Sequence, residues 1–465
     1  MKFSIGYNHD IKLLDLLGSY KDNIESFYFT IPLQYLRSGR RIPQENSYLH
    51  EIPEIIKKCN SLNLRSQLLL NATCGGEHGL EKKFFKKIIN YIEKLKSLGL
   101  NSVIVTNPIY ISKIKEHVAG IQVESSVNCY VKTLAHALYL KDLGVDILTV
   151  DRDINRDLPL IKEIKNKTGL KIKILLNEGC LGNCPFRNIH YNHLSHNVPG
   201  PGRLIDNIFP DRFCINIFSK KPAKVLSIPF IPPEVLPYYA QIADYYKLST
   251  RVFSTSRIES CLKAYINQDF NGNLLDLLDC PGLSYFNLIN YALLKKNNLF
   301  GKMTECDNNC GNCHYCNKLM KDAVVINSVY LKGPEKVRED KKALGMYNRF
   351  LKTSPNSANI YFVLGRACFH LKKYKEAIKN IKKAIELDFT GFNVHFLLGS
   401  CYERTKQYEK AIFEFKKAEK ADPGKALLNF SLSKCYRNIG QIEQADKELE
   451  KGDLKFKRSK QITNS

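Results

Sequence analysis

Residues 1 to about 255 alternate short apolar, β-rich runs with amphipathic helical stretches, and this alternation restricts the fold more than any other feature of the chain. The strand candidates are KFSIGYN, SFYFTIP, RSQLLLNAT, SVIVTNP, GIQVESSVN, DILTVDRD and KIKILLNEG, with either KVLSIPF or YYKLSTRV as the eighth. Stretches such as EKKFFKKIINYIEKLKSLG and TLAHALYLKDLG lie between them. Nearly continuous apolar runs suit parallel strands covered on both faces. Eight such units predict a (β/α)8 barrel of the TIM type, with a doubly wound sheet as the other solution.

The last part of the chain is a different object. LGRACFHLKKYKEA begins at Leu364, LGSCYERTKQYEKA at Leu398 and LSKCYRNIGQIEQA at Leu432, each 34 residues after the last. That period, with one helix pair per unit, is the tetratricopeptide signature and predicts an all-α solenoid. Gly365, Gly399 and Ser433 fall where helices approach closely, and Ala377, Ala411 and Ala445 do the same in the second helix. Cys401 and Cys435 occupy equivalent small, buried positions. The expected division is a barrel over 1–255, a Cys-rich extension over 256–330, and repeats with a basic tail over 331–465.

The chain carries 15 cysteines and no apolar signal region at its start, where MKFSIGYNHD reads as a first strand. Reduced thiols and a cytoplasmic location are therefore expected, with metal binding favoured over disulfides. No stretch approaches the roughly 18 apolar residues of a membrane span. The net charge is +24, and residues 321–465 hold 30 Lys and Arg against 17 Asp and Glu. Such a surface favours RNA, phosphate or acidic protein partners, or is a solvated lysine-rich helix face.

Two cysteine groups stand out. Cys180 and Cys184 follow the seventh strand in NEGCLGNC. In a barrel they open onto the same face as Cys74, which follows the third strand, and Cys214 lies in the long excursion before the eighth. Four thiolates from separate loops suit a 4Fe–4S cluster better than tetrahedral zinc. Cys261 and Cys280 are weaker candidates for the fourth position. Cys306, Cys310, Cys313 and Cys316 form the second group, in ECDNNCGNCHYC. Three or four of them can hold zinc or a second iron–sulfur cluster. The remaining polar strand ends carry Asn8, Asn71, Asn107, Glu124, Asp151, Arg152, Asn177, Glu178 and Arg251. From these, Glu178, Asp151, Arg152 and Arg251 are the candidates for holding substrate and moving protons. Arg187, His190 and His193 share the loop of Cys180 and are the candidates for contacting an acidic substrate; His196 follows at the same spacing.

The runs SVIVTNP, GIQVESSVN, TVDRDINRDLPLIKEI, LLNEGCLGNCPFRNIHYNHLSH and IPFIPPEVLPYY, with YYKLSTRVFSTSRIESCLKAYINQDFNGNLLDLL, resemble the U32 peptidase, or collagenase-like, family over roughly residues 1–320. Its Gly-Cys-x3-Cys loop is the sharpest element, although the commoner family loop reads His-Gly-Ala-x-Cys with a longer gap. The family name implies proteolysis. Its bacterial relatives imply something else: cysteine-held iron–sulfur proteins acting in oxygen-independent hydroxylation of RNA bases or in ubiquinone synthesis. The resemblance thus implies a cluster on Cys180, Cys184, Cys214 and a fourth thiol, for which Cys74 is favoured. It also raises a U32-type partner subunit as a possible requirement. Three classes remain open: an iron–sulfur modification enzyme; a metal-dependent peptidase, for which no HExxH or Gly-x-Ser-x-Gly motif is present; and a scaffold whose repeat tail binds a protein or peptide.

Overall fold

Eight parallel strands close into a barrel in the computed structural model, in the order β1 to β8. They are β1 Phe3–Gly6, β2 Ile24–Phe29, β3 Arg65–Leu70, β4 Ser102–Val105, β5 Gln122–Ser125, β6 Ile147–Thr149, β7 Lys171–Leu175 and β8 Tyr245–Lys247. The ring closes where Phe3 and Ser4 of β1 pair with Tyr246 and Lys247 of β8. The structure describes residues 1–31, 46–196, 221–251, 253–279, 287–306, 312–326, 357–422 and 424–463, with residues 214, 217, 218, 341, 344, 345, 347, 348 and 351 between them.

YYK, not KVLSIPF, supplies the eighth strand. Pro222–Ser227 instead forms a 3-10 turn whose Val225 and Leu226 are buried. Helices α1 Leu13–Ser19, α2 Ile52–Ser61, α3 Lys82–Ser97, α4 Pro108–His117, α5 Leu134–Asp142 and α6 Leu158–Thr168 wrap the outside. Their local chemistry fixes where they start. Asn107, Thr133 and Asp157 each accept a hydrogen bond from a first-turn N–H, and Pro sits in the first turn of α4 and α6. Gly169, in the left-handed conformation at φ 68°, ends α6.

The main core lies between strands and helices. Phe3, Ile5, Phe27, Phe29, Leu68, Leu70, Val103, Val105, Leu148, Ile172 and Ile174 pack there with Ile56, Ile88, Ile92, Ile111, Leu140 and Ile161. The other strand face carries an apolar cluster of Tyr28, Leu69 and Ile104 and beside it a polar layer. Ser4, Ser26, Gln67, Ser102, Glu124, Thr149 and Lys173 are all fully buried and bond to one another. Glu124 Oε2 accepts from Lys173 Nζ at 2.6 Å and Gln67 Nε2 at 2.8 Å, and its Oε1 accepts from Thr149 Oγ1 at 3.2 Å. These residues sit on β3, β5, β6 and β7, so bonds between strands that are not neighbours must cross the barrel interior. Glu124, read from the sequence as a strand-end residue, is therefore the hub of an interior polar layer. Burial alone would raise its carboxyl, but Lys173 and Lys247 outweigh that and lower it.

Helix α7 Arg187–His196 lies between β7 and β8, and after the barrel come α8 Thr255–Ile266, α9 Leu274–Leu277, α10 Tyr291–Lys296, α11 Leu299–Thr304 and α12 Tyr315–Ala323. Strands β9 Asn287–Ile289 and β10 Val324–Ile326 form a small antiparallel sheet. Three helix pairs then repeat: α13 Ala358–His370 with α14 Tyr374–Glu386, α15 Phe392–Arg404 with α16 Tyr408–Ala421, and α17 Ala426–Asn438 with α18 Ile442–Thr463. Ala377, Ala411 and Ala445 are fully buried, as are Cys401 and Cys435. Ser357 Oγ donates to Asp276 Oδ2 at 2.8 Å, and Asn359 donates to the other oxygen, tying the start of the array to α9. Among the described residues, no helix is long and apolar enough to cross a membrane.

Candidate functional site

The loop after β7 is held from three sides. Asn177 ties it down first, donating to the Ser249 and Leu277 carbonyls and accepting from Ser249 N at 2.7 Å. Glu178 follows. Its Oε1 accepts the N–H groups of Gly179 and Cys180 at 2.9 and 2.8 Å, and its Oε2 lies 3.0 Å from Arg152 Nε. Arg152 is 1 % exposed. Its other nitrogens donate to Tyr191 OH at 2.9 Å and Asn128 Oδ1 at 2.8 Å. A buried guanidinium held by one ion pair and two hydrogen bonds is a rigid strut, not a mobile side chain.

Asp153 anchors the far end of the same loop. It accepts from Arg187 at 2.6 and 2.9 Å, from Lys132 Nζ at 2.6 Å and from Asn183 N at 2.9 Å. Burial alone would raise its carboxyl; the bonds from Arg187, Lys132 and Asn183 hold it well below the usual carboxylate range. Arg187 also donates to the Leu181 carbonyl at 2.7 Å. Its guanidinium thus closes the Cys180–Cys184 turn. Asp151 caps the short turn after β6 by accepting from Asp153 N at 2.7 Å. Burial is the first cause that raises its carboxyl above the usual range, and its Oδ2 has no hydrogen-bond partner among the described residues.

These struts present two thiols to each other. The two thiols act on each other: Cys180 lowers Cys184 to about 6 against the opposing effect of burial, with help from Phe186 N–H and Arg187. Cys184 and then burial raise Cys180.

The other sequence candidates sit elsewhere. Cys74 lines a cavity of about 570 Å³ with Asn128, Tyr130, His136, Asn188 and Asn192. Asn188 and Asn192 of α7 line that cavity, while Arg187 and Tyr191 of the same helix reach Asp153 and Arg152. Cys214 is half-buried against the barrel core. His190 and His193 are half-buried on α7, with the His190 ring 5.6 Å from that of Tyr191. Arg251 is half-buried just beyond β8. Cys306 and Cys313 are exposed and Cys316 half-buried; all three line a second cavity of about 940 Å³ beside Arg156. Cys310 and Cys280 lie outside the described residues. Cys261 is a core residue whose thiol donates to the Asp276 and Leu277 carbonyls, and burial pushes it up to about 12. Among the described residues, no three of His, Cys, Asp and Glu are grouped to hold a metal ion.

Sequence reasoning missed Asp153, Asn183, Lys132 and Tyr191. The Asp-Arg-Asp triplet at the end of the sixth strand was the available signal for Asp153. It also missed the interior layer, which Lys173 and Lys247, each a lysine inside an apolar strand, could have announced.

The Peptidase family U32 model matches residues 24–181. A second model, anaphase-promoting complex, cyclosome, subunit 3, matches residues 337–418. An uncharacterized protease of Methanocaldococcus jannaschii is 31% identical over 340 residues, spanning 70% of this chain and 99% of the relative. Among solved structures, a U32 peptidase is 15% identical, covering 54% of this chain and 92% of its own at a TM-score of 0.39. The tetratricopeptide protein YrrB is 21% identical, covering 26% of this chain and 62% of its own at a TM-score of 0.25. With its barrel, its Gly-Cys-x3-Cys loop and a relative matched over nearly that relative's whole length, the chain belongs to peptidase family U32.

Proposed function

We propose that this chain is a thiolate-centred U32 enzyme that holds an iron–sulfur cluster at the barrel mouth. Its reaction is cluster-dependent modification of RNA or a small metabolite, of the oxygen-independent hydroxylation type. The observation that carries the reading is the pair of thiols Cys180 and Cys184 on one braced loop, where Cys180 lowers the Cys184 thiol below its ordinary value. Two soft donors on a loop braced by Glu178, Asp153 and Arg187 fit two positions of such a cluster. Cys74 and Cys214 remain the proposed further ligands on sequence grounds, and Cys306, Cys310, Cys313 and Cys316 a proposed second metal site.

When bound, the cluster would supply electron transfer and a binding position for an oxygenated donor. The chain's own residues do the rest. Arg152 pairs with Glu178, which in turn holds the N–H groups of Gly179 and Cys180. Asp151, raised by burial, is the carboxyl able to hold and release a proton beside them. The charge of +24 suits an RNA substrate, and the repeat array suits docking of a protein segment. The test is to digest RNA from cells with the intact chain, with Cys184→Ala, and without the chain, and to weigh the nucleosides alongside small-metabolite extracts. One species heavier by an oxygen atom is expected only with the intact chain. Identical profiles in all three would overturn the reading.

One observation favours a second reading, peptide hydrolysis. Cys74 and His136 line the same cavity, and a thiol with an imidazole is the chemistry of thiol peptidases. Gelatin cleavage lost in Cys74→Ser but kept in Cys180→Ala would select this reading over the first.

A further inference from the structure

A cavity of about 940 Å³ lies between the turn Pro222–Ser227 and helices α11 and α12, and neither Cys180 nor Cys184 lines it. Small-molecule sites commonly measure roughly 300–1,000 Å³. Its walls are of two kinds. Leu226, Leu299, Met303 and Met320 are buried apolar residues. Arg156, Lys221, Lys224, Lys302 and Lys321 bring five basic groups to the same space, against one acid, Glu305.

Arg156 is the group that a ligand would meet at the barrel side. It is half-buried. Its Nη2 donates to the carbonyls of Ile228 and Phe230 at 2.5 and 3.2 Å. Its Nε is buried and has no hydrogen-bond partner among the described residues. The ionisable groups that act on it are Tyr239, Cys306 and Cys316, and none is a carboxylate. A guanidinium keeps its charge at any ordinary pH, and carbonyl oxygens give it hydrogen bonds without neutralising it. Among the described residues, none of the four lysines of the cavity is in an ion pair either. The space thus combines uncompensated positive charge with apolar walls. Its complement is an anion carried on an apolar body.

We infer that this cavity binds a small organic anion, a carboxylate or phosphate attached to an apolar body. The acid group pairs with the Arg156 guanidinium, which suits a two-oxygen acceptor, and the lysines draw it in. The body lies on Leu226, Leu299, Met303 and Met320. The site requires neither iron at the thiol pair nor a metal on the cysteines of 306–316.

The test titrates the intact full-length chain with two fluorescent dyes. Anilinonaphthalene sulfonate carries an acid group on an apolar body, and phenylnaphthylamine has the same body without the charge. The sulfonate dye is expected to bind saturably and to be displaced by dodecanoate or dodecyl phosphate. Whichever competitor acts at the lower concentration names the acid group. Arg156→Met should weaken the sulfonate dye by about tenfold and the neutral dye by less than about twofold. Lys302→Glu/Lys321→Glu reverses two exposed side chains and should weaken the sulfonate dye in the same direction. If Arg156→Met does not fold, the lysine variant alone decides. No saturable sulfonate binding, binding unchanged in the variants, or an equal loss of the neutral dye would overturn the assignment.

Discussion

Arg152 shows what a single buried side chain does in this barrel: three nitrogens reach Glu178, Tyr191 and Asn128, linking loops that follow β5, β6 and β7. Replacing it leaves the Glu178 charge buried and unpaired. Arg152→Met should therefore destabilise the barrel by about 3–5 kcal/mol in urea unfolding. Asp153 makes a pH-dependent version of the same argument. Its folded carboxyl titrates below its unfolded value near 3.9, so its contribution is full above that pH and is lost as pH falls through the folded value. The gap in urea midpoint between the wild type and Asp153→Asn should be widest near pH 7 and shrink below about pH 4. A gap independent of pH would contradict the ion-pair reading.

At the scale of elements, close approaches of backbone decide which glycines matter. A Cβ on Gly182, inside the Cys180–Cys184 turn, would stand 2.8 Å from the Ser227 carbonyl oxygen. Gly182→Ala should displace the turn and slow assembly of the proposed cluster while leaving the barrel's circular dichroism unchanged. In the repeats, a Cβ on Gly365 would press on Ile381 and lie 3.2 Å from the Ala377 carbonyl, whereas one on Gly399 meets only the Phe415 ring. Gly365→Ala should cost about 1–3 kcal/mol and Gly399→Ala less, because a ring can turn and a backbone cannot. Thermal melts followed at 222 nm would order the two. These repeat positions were legible because a 34-residue period prints the same small residues at the same contacts. The barrel was legible for a similar reason, since eight apolar runs repeat one unit. The interior layer was not: Gln67, Glu124 and Lys173 are distant in sequence and meet only when the sheet closes. The eighth strand was ambiguous because KVLSIPF and YYKLSTRV carry similar β-rich patterns.

For the whole molecule, the barrel carries the braced thiol pair on the loop after β7 and the repeat array supplies a separate surface. Asp276 joins them through Ser357 and Asn359. Burial is the main cause that raises this carboxyl. Of the candidate site, the Cys180–Cys184 pair was readable from spacing alone, because four residues of one loop suffice to bring two thiols together. The positions of Cys74 and Cys214 depend on loops whose course no local pattern encodes. The central claim is that the thiol pair holds inorganic iron. Anaerobic purification with iron, acid-labile sulfide and zinc analysis, on the intact chain and on Cys180→Ala/Cys184→Ala, tests it most directly. The account predicts about four iron and four sulfide per barrel-mouth cluster in the intact chain, and loss of that complement in the double variant. A colourless intact chain carrying only zinc, or iron undiminished in the variant, would contradict it.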